Sequence, residues 1–358
     1  MSKLIVSIAT LGSGGAERVL SVLSPCFADN FGTVQYVLWD GGEPFYPIDK
    51  RVKIVSLPEL SGKKGRNRQM VTFRRVIKQE QPDLVLSFLT PYNMLVLFST
   101  IGLKYKVVVA ERTDPRRLLT GGKAGLWFRD WLYRRADGIL TQTEYAKTCY
   151  DEKFAGLTKV IYNPVTMSGG QVGMALRAQK EHVFVTAGRL EPVKDQQMMI
   201  LAFSEFHKLH PDYRLVLFGE GPARDELQNK INSLGLHDSI ELAGRTNELW
   251  EKIANAEAFL LTSRYEGMSN ALLEAMCMGL PVISTKVAGA TDLIKDGENG
   301  FLINIGDEET LTERMCHLAD DSCLRKRIGN EATKVYELVK KDRISKEWIK
   351  YLNSKINS

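Results

Sequence analysis

Short runs of β-branched and other apolar residues alternate with longer amphipathic stretches along most of the 358-residue chain. In parallel α/β proteins, buried strands appear in the sequence as short apolar runs, and the helices that connect them appear as amphipathic stretches. The first half predicts strands near residues 3–9, 33–39, 53–57, 83–88, 106–110, 138–141 and 159–161. Amphipathic stretches at 15–30, 66–80 and 123–135 predict helices between them. This alternation indicates βαβ units and a parallel sheet.

The alternation lapses at residues 164–181, which are rich in glycine and small polar residues and are interpreted as a linker. A second series follows, with strands predicted near 182–188, 213–218, 239–242, 257–261 and 281–284, and helices near 194–209, 222–235 and 269–278. From about residue 307 the pattern is helical. The chain is longer than one hydrophobic core usually serves. We therefore predict two Rossmann-like α/β domains, 1–163 and 182–335, followed by a C-terminal helix within 336–358.

The net charge of +5 is unevenly distributed. Residues 1–163 hold 24 Lys and Arg against 15 Asp and Glu, a net charge of +9, whereas the remainder has a net charge of −4. The first half thus favours an anionic partner such as phosphate, a membrane surface or nucleic acid. All five histidines lie in the second half, so the first half offers no imidazole for catalysis.

Cysteine usage and hydropathy favour a cytoplasmic protein. The five cysteines form no CxxC pair, which fits reduced thiols better than a disulfide framework or a zinc site. No apolar run approaches the roughly 20 residues of a membrane-spanning helix. The start, MSKLIVSIATLGSGG, leads into a glycine loop and an amphipathic stretch rather than a cleavage site, and is interpreted as a first strand.

Residues 264–285, RYEGMSNALLEAMCMGLPVIST, place Glu266 and Glu274 eight positions apart. An apolar run before them predicts a strand, Ser269 suits a helix N-cap, and Gly279 suits a C-cap. Glu266 then lies in the loop before a helix, and Glu274 lies about one and a half turns inside it. Free N–H groups at the helix start favour a phosphate, and carboxylates beside a phosphate suit sugar hydroxyls. The alternative is a surface loop glutamate and a solvated helix glutamate.

The stretch EGMSNALLEAMCMGLPVIST resembles the E-x7-E segment of the retaining glycosyltransferases of family 4, which have the GT-B architecture of two Rossmann-like domains facing across a cleft. Family counterparts in the same order exist for GRLEPVKDQQMMILAF (188–203), GEGPARDEL (219–227) and GENGFLI (297–303). The resemblance implies that Glu274 holds the nucleotide ribose and that Glu266 contacts hydroxyls of the donor sugar. It also implies that backbone N–H groups meet the diphosphate or the donor sugar at Met268, Ser269 and Asn270. Gly267, at the predicted helix start, is expected to offer a further N–H group to a phosphate.

Arg189 and Lys194, five residues apart after a predicted strand, can reach both phosphates of a nucleoside diphosphate. The resemblance assigns them that role, in which they stabilise the charge that grows on the leaving group. The chain contains no DxD triplet and no metal-ligand spacing, so we expect a metal-independent reaction without a cofactor. Further donor contacts are predicted in loops that follow strands, at Gly188, Gly219 and Gly221. The resemblance implies that the backbone near Arg245 and Thr246 borders the base of the donor.

The first domain opens with IATLGSGGAERVLS, a strand, a glycine loop and a helix. Gly12, Gly14 and Gly15 form a degenerate dinucleotide fingerprint without the third glycine at its expected place, and Asp40 is a candidate ribose-binding acid. An NAD(P)-dependent dehydrogenase therefore remains an alternative. The other alternative is a non-catalytic, two-lobed protein that binds a nucleotide or sugar.

The resemblance implies that the glycine loop lies near the donor phosphate, through Gly15, and near the acceptor. A strand end at 107–117 brings more polar residues to the same edge, where many family members have a histidine and this chain has Arg112. Glu111 is the predicted acceptor-orienting carboxylate. The predicted acceptor-side residues are Gly14, Glu17, Arg18, Glu111 and Arg112.

Two stretches, 62–78 and 116–135, mix Lys and Arg with aromatic residues that include Trp127, Phe128 and Trp131. Such faces suit an anionic membrane surface, although core aromatics flanked by solvated cations are an alternative. RNA binding is not supported, because no RNP, KH or helix-turn-helix signature is present.

The N-terminal features SGGAERVL and GGEPFYPID resemble bacterial enzymes that extend undecaprenyl-diphosphate-linked oligosaccharides. The resemblance also implies that the C-terminal helix, around Trp348, crosses back onto the first domain. We therefore predict a retaining hexosyltransferase that moves a sugar such as GalNAc from a UDP-sugar to a polyprenyl-diphosphate-linked glycan. It is expected to do so in the cytoplasm, at the inner face of the cell membrane.

Overall fold

The computed structural model describes residues 2–61, 65–114, 122–151, 153–154 and 156–357. The chain divides into two compact units, each with its own hydrophobic core. The first unit contains Met1–Pro164 and Lys341–Ser358, and the second contains Val165–Lys340. No helix among these described residues is long and apolar enough to cross a membrane.

The described part of the first unit contains a parallel sheet of seven strands. They are β1 (Lys3–Ile8), β2 (Thr33–Leu38), β3 (Lys53–Ser56), β4 (Leu84–Phe88), β5 (Lys106–Ala110), β6 (Gly138–Thr141) and β7 (Thr158–Val160). Their order across the sheet is β3-β2-β1-β4-β5-β6-β7, and all neighbouring pairs are parallel. β1 and β4 are neighbours although β2 and β3 lie between them in sequence, so the direction of winding reverses at this pair. Ligands of doubly wound sheets bind at this switch point, outside the carboxyl ends of the strands.

Helices cover both faces of this sheet. They are α1 (Gly15–Asn30), α2 (Leu57–Ser61), α3 (Arg66–Glu80), α4 (Thr90–Ser99), α5 (Gly122–Tyr133) and α6 (Glu144–Asp151), joined at the end of the chain by α16 (Lys341–Ile356). α16 packs on α1 and on β4. Its Trp348 is fully buried and stacks on Phe88 with ring centroids 5.8 Å apart. The last helix is therefore part of the first unit's core.

The second unit repeats the same topology. Its strands are β8 (Val183–Ala187), β9 (Arg214–Phe218), β10 (Ile240–Gly244), β11 (Ala258–Leu261), β12 (Val282–Thr285) and β13 (Phe301–Ile303), in the order β10-β9-β8-β11-β12-β13. Its helices are α7 (Met174–Arg177), α8 (Gln196–Leu209), α9 (Arg224–Ser233), α10 (Leu249–Ile253), α11 (Asn270–Met278), α12 (Ala288–Leu293), α13 (Glu308–Asp320), α14 (Ser322–Thr333) and α15 (Tyr336–Val339). The switch point lies between β8 and β11. The predicted two Rossmann-like α/β domains are confirmed.

The predicted linker is different in the structure, because all but its first residue is folded into the second unit. The segment contains α7, which packs against α11 and α14. Ala175 is fully buried there, and the Gly173 N–H donates to the carbonyl oxygen of Cys277 at 3.0 Å. The small residues in this stretch therefore allow α7 to pack closely against its neighbours, and the segment is not a flexible linker. At the other end, residues 336–340 belong to the second unit, so the returning segment begins at Lys341.

Candidate functional site

The switch point of the second unit lies between the loops that follow β8 and β11, and polar contacts join these two loops. The Thr262 hydroxyl donates to the carbonyl oxygens of Lys194 and Asp195 at 2.9 and 3.0 Å. The Arg264 backbone N–H donates to the carbonyl oxygen of Val193 at 2.8 Å, and its Nε donates to Asp195 Oδ2 at 2.9 Å. Asp195 itself has a left-handed backbone (φ 50°), which ends the short 3₁₀ turn Pro192–Lys194. These hydrogen bonds therefore hold the two loops together at the carboxyl edge of the sheet.

Lys194 and Glu266 meet across this edge. The Lys194 ammonium donates to Glu266 Oε1, and the side chains are 21% and 14% exposed. The Ser263 hydroxyl donates to the same carboxylate oxygen at 3.0 Å. Two residues that are 72 positions apart in sequence thus form a largely buried ion pair at the switch point. The structure brings together two of the three predicted catalytic residues.

Arg189, the third predicted catalytic residue, has another neighbour. Its guanidinium forms an ion pair with Glu191 at 2.7 Å, and 68% of its side chain is exposed. Its carbonyl oxygen accepts a hydrogen bond from Gln196 Nε2 at 2.9 Å, which fixes the loop backbone. Arg189 therefore stands on the same loop as Lys194 but outside the Lys194–Glu266 pair.

Helix α11 begins and ends where the sequence predicts. The Ser269 side chain caps its first turn by accepting from the Leu272 N–H at 3.3 Å, and Gly279 ends it in the left-handed conformation (φ 82°). Glu274 is 2% exposed, so it is not the solvated helix glutamate of the alternative interpretation. Burial, together with the nearby Glu274 carboxylate, raises the pKa of the Cys277 thiol to about 12. The helix that follows the Glu266 loop thus carries a buried acid in its second turn.

The loop before α11 is braced from behind. The backbone of Gly267 and Met268 lies so close to Gly289 that a Cβ there would come within 2.5 Å of the Gly267 carbonyl oxygen. Met268 is 6% exposed. Ser269 and Asn270, the cap and first residue of α11, are half-buried. This packing fixes the loop amides that were predicted to meet the donor.

Glycine is required at positions 219 and 221 because the loop that contains them packs closely against another loop of the protein. Gly219 has φ 142°, and a Cβ on it would lie 1.8 Å from the carbonyl oxygen of Gly188. A Cβ on Gly221 would lie 2.2 Å from the carbonyl oxygen of Leu190. The glycines let the loop after β9 pack against the loop after β8, which carries Lys194.

Arg245 and Thr246 follow β10, two strands from β8. Arg245 is exposed and Thr246 half-buried, with its hydroxyl accepting from the Glu248 N–H at 3.1 Å. They therefore lie farther along the same edge than Lys194 and Glu266.

At the switch point of the first unit, the glycine loop leads into α1. Gly14 is the N-cap, Gly15 is the first helical residue, and the Arg18 N–H donates to the Gly14 carbonyl oxygen at 3.1 Å. The Glu17 carboxylate folds back over Gly14, where a Cβ would lie 2.2 Å from its oxygen. Glu17 and half-buried Arg18 thus stand on the first turn of α1, as predicted.

Arg112 comes from the end of β5 and is 8% exposed. Its guanidinium donates to Asn163 Oδ1 at 2.5 Å and lies 5.6 Å from the centroid of the Phe88 ring. Burial lowers its pKa to about 10, against the opposing influence of the Glu17 carboxylate. Glu17 and Arg112, two of the predicted acceptor-side residues, are thus close enough for the Glu17 charge to affect the pKa of Arg112.

Glu111 does not fit the predicted acceptor-orienting role. It is 1% exposed, and its carboxylate accepts hydrogen bonds from Thr90 Oγ1 at 2.6 Å, Asn93 Nδ2 at 3.0 Å and the Tyr133 hydroxyl. These partners lie on α4 and α5, so Glu111 ties both helices to β5. Because its carboxylate is satisfied inside the protein, the structure argues for a role in packing instead. Sequence gave no signal for this network, since its members are dispersed over more than 40 residues.

Asp40, the candidate ribose-binding residue of the dehydrogenase alternative, also has hydrogen-bond partners within the protein. Its carboxylate accepts from Arg66 at 2.8 Å and from the Tyr92 hydroxyl. Among the residues that the structure describes, no group of three or more His, Cys, Asp or Glu side chains could hold a metal ion.

Comparison with known proteins gives two family matches that succeed one another along the chain. The model described as Glycosyltransferase Family 4 matches residues 13–168, and that described as Glycosyl transferases group 1 matches residues 175–335. Together they cover most of both units and include Gly14, Gly15, Lys194 and both glutamates.

Similar proteins of known description extend over almost the full length. A Campylobacter jejuni protein described as GalNAc-α-(1→4)-GalNAc-α-(1→3)-diNAcBac-PP-undecaprenol α-1,4-N-acetyl-D-galactosaminyltransferase is 28% identical, covering 98% of each chain. A second C. jejuni protein, N-acetylgalactosamine-N,N'-diacetylbacillosaminyl-diphospho-undecaprenol 4-α-N-acetylgalactosaminyltransferase, is 27% identical over 98% of this chain and 100% of its own. The crystal structure of Anabaena HepE with UDP and glucose superposes with a TM-score of 0.81 at 20% identity, covering 99% of this chain and 100% of that one. The chain belongs to the family 4 glycosyltransferases, and its two Rossmann-like units are those of the GT-B fold.

Proposed function

We propose that this glycosyltransferase moves a hexose or N-acetylhexosamine, such as GalNAc, from a UDP-sugar to a polyprenyl-diphosphate-linked glycan, with retention of configuration. The observation that carries the proposal is the Lys194–Glu266 pair at the switch point of the second unit, with Glu274 buried on the adjoining helix. The acceptor follows from the similarity to two C. jejuni transferases whose names specify undecaprenyl-linked glycans. The product would enter a bacterial cell-surface polysaccharide or glycoprotein glycan.

The roles follow from charge and position. Lys194 is a compact point charge for the diphosphate, and the exposed Arg189 supplies a planar fork from the same loop. The two cations stabilise the negative charge that grows on the departing nucleoside diphosphate, without a metal ion. Glu266 accepts hydrogen bonds from hydroxyls of the donor sugar, while Glu274 binds the ribose.

Retention follows when the acceptor hydroxyl attacks from the face on which the diphosphate leaves. The bond from the anomeric carbon to the phosphate oxygen breaks, and a bond to the acceptor oxygen forms on the same face. The acceptor proton passes to the departing phosphate oxygen. This route needs no carboxylate base in the first unit, which agrees with the buried, fully engaged Glu111.

A panel of nucleotides tests the donor assignment. UDP-sugars are expected to raise the unfolding temperature more than GDP-, ADP- or TDP-sugars, NAD or NADP. At 100 times Kd, binding contributes about 2.7 kcal/mol of stability. Glu274→Gln should retain the fold and lose most of the shift caused by UDP, because the ribose loses its charged acceptor. Glu205→Gln, at a 63% exposed site in the same unit, is the control. A shift with NAD or NADP alone would contradict the proposal.

The first unit carries a surface suited to the membrane in which a lipid-linked acceptor resides. On α5, Trp127, Phe128 and Trp131 are 71%, 39% and 43% exposed, and Phe128 stacks on Trp131 with centroids 5.9 Å apart. Only Tyr133 of the aromatics noted on this helix is fully buried. The exposure of Trp127, Phe128 and Trp131 supports a surface role for these rings over the alternative of core aromatics. Residues 62–64 and 116–121 of the two basic stretches lie outside the described residues.

Exposed cations accompany the α5 rings. Lys123, Trp127 and Trp131 recur every four residues, a spacing that places them on one side of the helix. Arg134 and Arg135 are exposed just beyond the helix end. Aromatic rings at headgroup depth with Lys and Arg beside them bind anionic bilayers. We place the enzyme on the inner face of the cell membrane, peripherally bound through α5.

Sedimentation with vesicles that contain anionic lipid tests this surface. Wild-type protein should bind at low salt and release as salt screens the cations. Trp127→Ser combined with Trp131→Ser should reduce binding about tenfold or more, because each ring buries apolar area in the interface. Leu209→Ser, which alters a 68% exposed apolar residue of the second unit, is the matched control. Equal sedimentation of the double variant and wild type would exclude α5 as the contact.

A further inference from the structure

Three polar side chains converge beside the glycine loop of the first unit and are not used in the proposed mechanism. Asp40 follows β2, Arg66 begins α3, and Tyr92 lies in the first turn of α4. Arg66 donates to Asp40 Oδ1 at 2.8 Å, and the Tyr92 hydroxyl donates to Asp40 Oδ2. The Arg66 guanidinium lies 5.3 Å from the centroid of the Tyr92 ring. We refer to these three residues as the Asp40 cluster.

The Asp40 cluster has a rigid base. Trp39 is fully buried, stacks on Phe73 with centroids 5.2 Å apart, and donates from its indole nitrogen to Ser7 Oγ at 2.7 Å. Gln69 Nε2 donates to the Trp39 carbonyl oxygen at 2.6 Å. These contacts fix the backbone that leads into Asp40, while Arg66 and Tyr92 hold its carboxylate.

The rim of the Asp40 cluster is open to solvent. The side chains of Arg66 and Asp40 are 47% and 37% exposed, and Tyr92 is half-buried. A carboxylate can accept about four hydrogen bonds and a guanidinium can donate five, so both groups retain capacity for a ligand. Burial and the hydrogen bond to Asp40 raise the pKa of Tyr92, which keeps its hydroxyl neutral.

An aromatic pair lies on the same loop. The Asp40 N–H donates to the Ala9 carbonyl oxygen at 2.8 Å, and the Phe45 N–H donates to that of Leu11 at 2.8 Å, so the loop after β2 runs along the glycine loop. Phe45 is 54% exposed and meets the Tyr46 ring edge to face, with centroids 5.0 Å apart. Since Ala9 and Leu11 are two residues apart, the backbones of Asp40 and Phe45 are separated by at most about 13 Å, a distance that a short oligosaccharide can span.

We propose that the Asp40 cluster and the Phe45–Tyr46 pair form a subsite for the glycan of the acceptor. Planar charged groups with spare hydrogen-bonding capacity recognise pairs of sugar hydroxyls, and an exposed ring offers a flat apolar surface to the C–H face of a sugar. Arg66 and Asp40 neutralise each other, and the acid would repel a phosphate. The chemistry therefore fits an uncharged sugar chain rather than the diphosphate of the same acceptor. The inference rests on the proposed function.

Saturation-transfer NMR with the free disaccharide GalNAc-α1,4-GalNAc as probe tests the subsite without lipid or donor. Wild-type protein should saturate the sugar protons. Phe45→Ala and Asp40→Asn should each weaken binding about three- to tenfold, the range that one aromatic contact or one hydrogen bond contributes. The matched control is Phe98→Ala, which removes a 46% exposed ring at the far end of α4. No transfer to the wild type, or equal transfer in all variants, would overturn the proposal.

Two further measurements separate a subsite from a structural brace and from failure of the donor assignment. Tyr92→Phe removes one hydroxyl of the Asp40 cluster. If the Tyr92 hydroxyl serves only to stabilise the fold, Tyr92→Phe will have a lower unfolding temperature and unchanged disaccharide binding. That result would also overturn the proposal. In Phe45→Ala and Asp40→Asn, the thermal shift with UDP-sugar should equal that of wild type. If wild type shows no such shift but binds the disaccharide, the donor assignment has failed and the glycan subsite stands.

Discussion

Replacement of Lys194 by alanine is expected to reduce turnover by about 10²- to 10³-fold, or below detection, because a preorganised charge at the leaving group is lost. Lys194 is 21% exposed and sits on a loop fixed to the neighbouring strand end by Thr262 and Arg264. A cation held in this way needs little reorganisation as the diphosphate departs. The measurement is the rate of UDP release with saturating donor and acceptor.

The control for Lys194→Ala is Lys208→Ala, which removes a 64% exposed lysine that also forms an ion pair with a glutamate, Glu205. Both variants lose one positive charge and one ion pair from the same unit. The unfolding temperature of each should be measured, since Glu266 is 14% exposed and loses its partner only in Lys194→Ala. Full activity in Lys194→Ala would refute the role of this residue in the reaction.

Glu266→Gln should lower kcat by a similar factor without weakening the binding of UDP alone. The amide has the shape of the carboxylate, but it carries no charge to hold Lys194 and accepts more weakly from sugar hydroxyls. The decisive measurement compares the thermal shifts produced by UDP and by UDP-sugar. In wild type the sugar should add to the shift, whereas in Glu266→Gln the two ligands should give the same shift.

Glu274→Gln is the matched variant for Glu266→Gln, because both change one acid of the same segment. Its effect should fall on UDP and UDP-sugar alike, since the ribose is common to both. If Glu266→Gln instead abolishes the shift with UDP, the division between the two glutamates is wrong. Unchanged kcat in Glu266→Gln would remove this residue from the catalytic assignment.

The features that sequence predicted best are local. Alternating apolar runs located the strands of both sheets up to β12, and cap residues located both ends of α11, because Ser269 and Gly279 act within one turn of the helix. β13, with only three residues, was missed. Thr90–Ser99 was also missed, because it is apolar on most sides and has no clear amphipathic period.

The features that sequence did not predict depend on residues far apart in the chain. Glu111 follows a strand, as site residues often do, yet Thr90, Asn93 and Tyr133 converge on it from two helices. The segment 164–181 has the composition of a linker, but its small residues serve close packing of α7. The ion pair between Lys194 and Glu266 was likewise not foreseen, although both residues were assigned to the site.

If Lys194 and Glu266 bind the donor as proposed, the contact between them has a consequence for which ligands the site accepts. Before a donor arrives, each of the two charges satisfies the other, in surroundings where a lone charge would be costly. Inorganic phosphate would compete for the lysine and leave the acid uncompensated, and a free sugar would do the reverse. Only a molecule that brings an anion and hydroxyl groups together replaces both halves of the contact at once. The proposed site is therefore expected to favour the intact donor over its fragments, including a nucleotide from which the sugar has already been transferred.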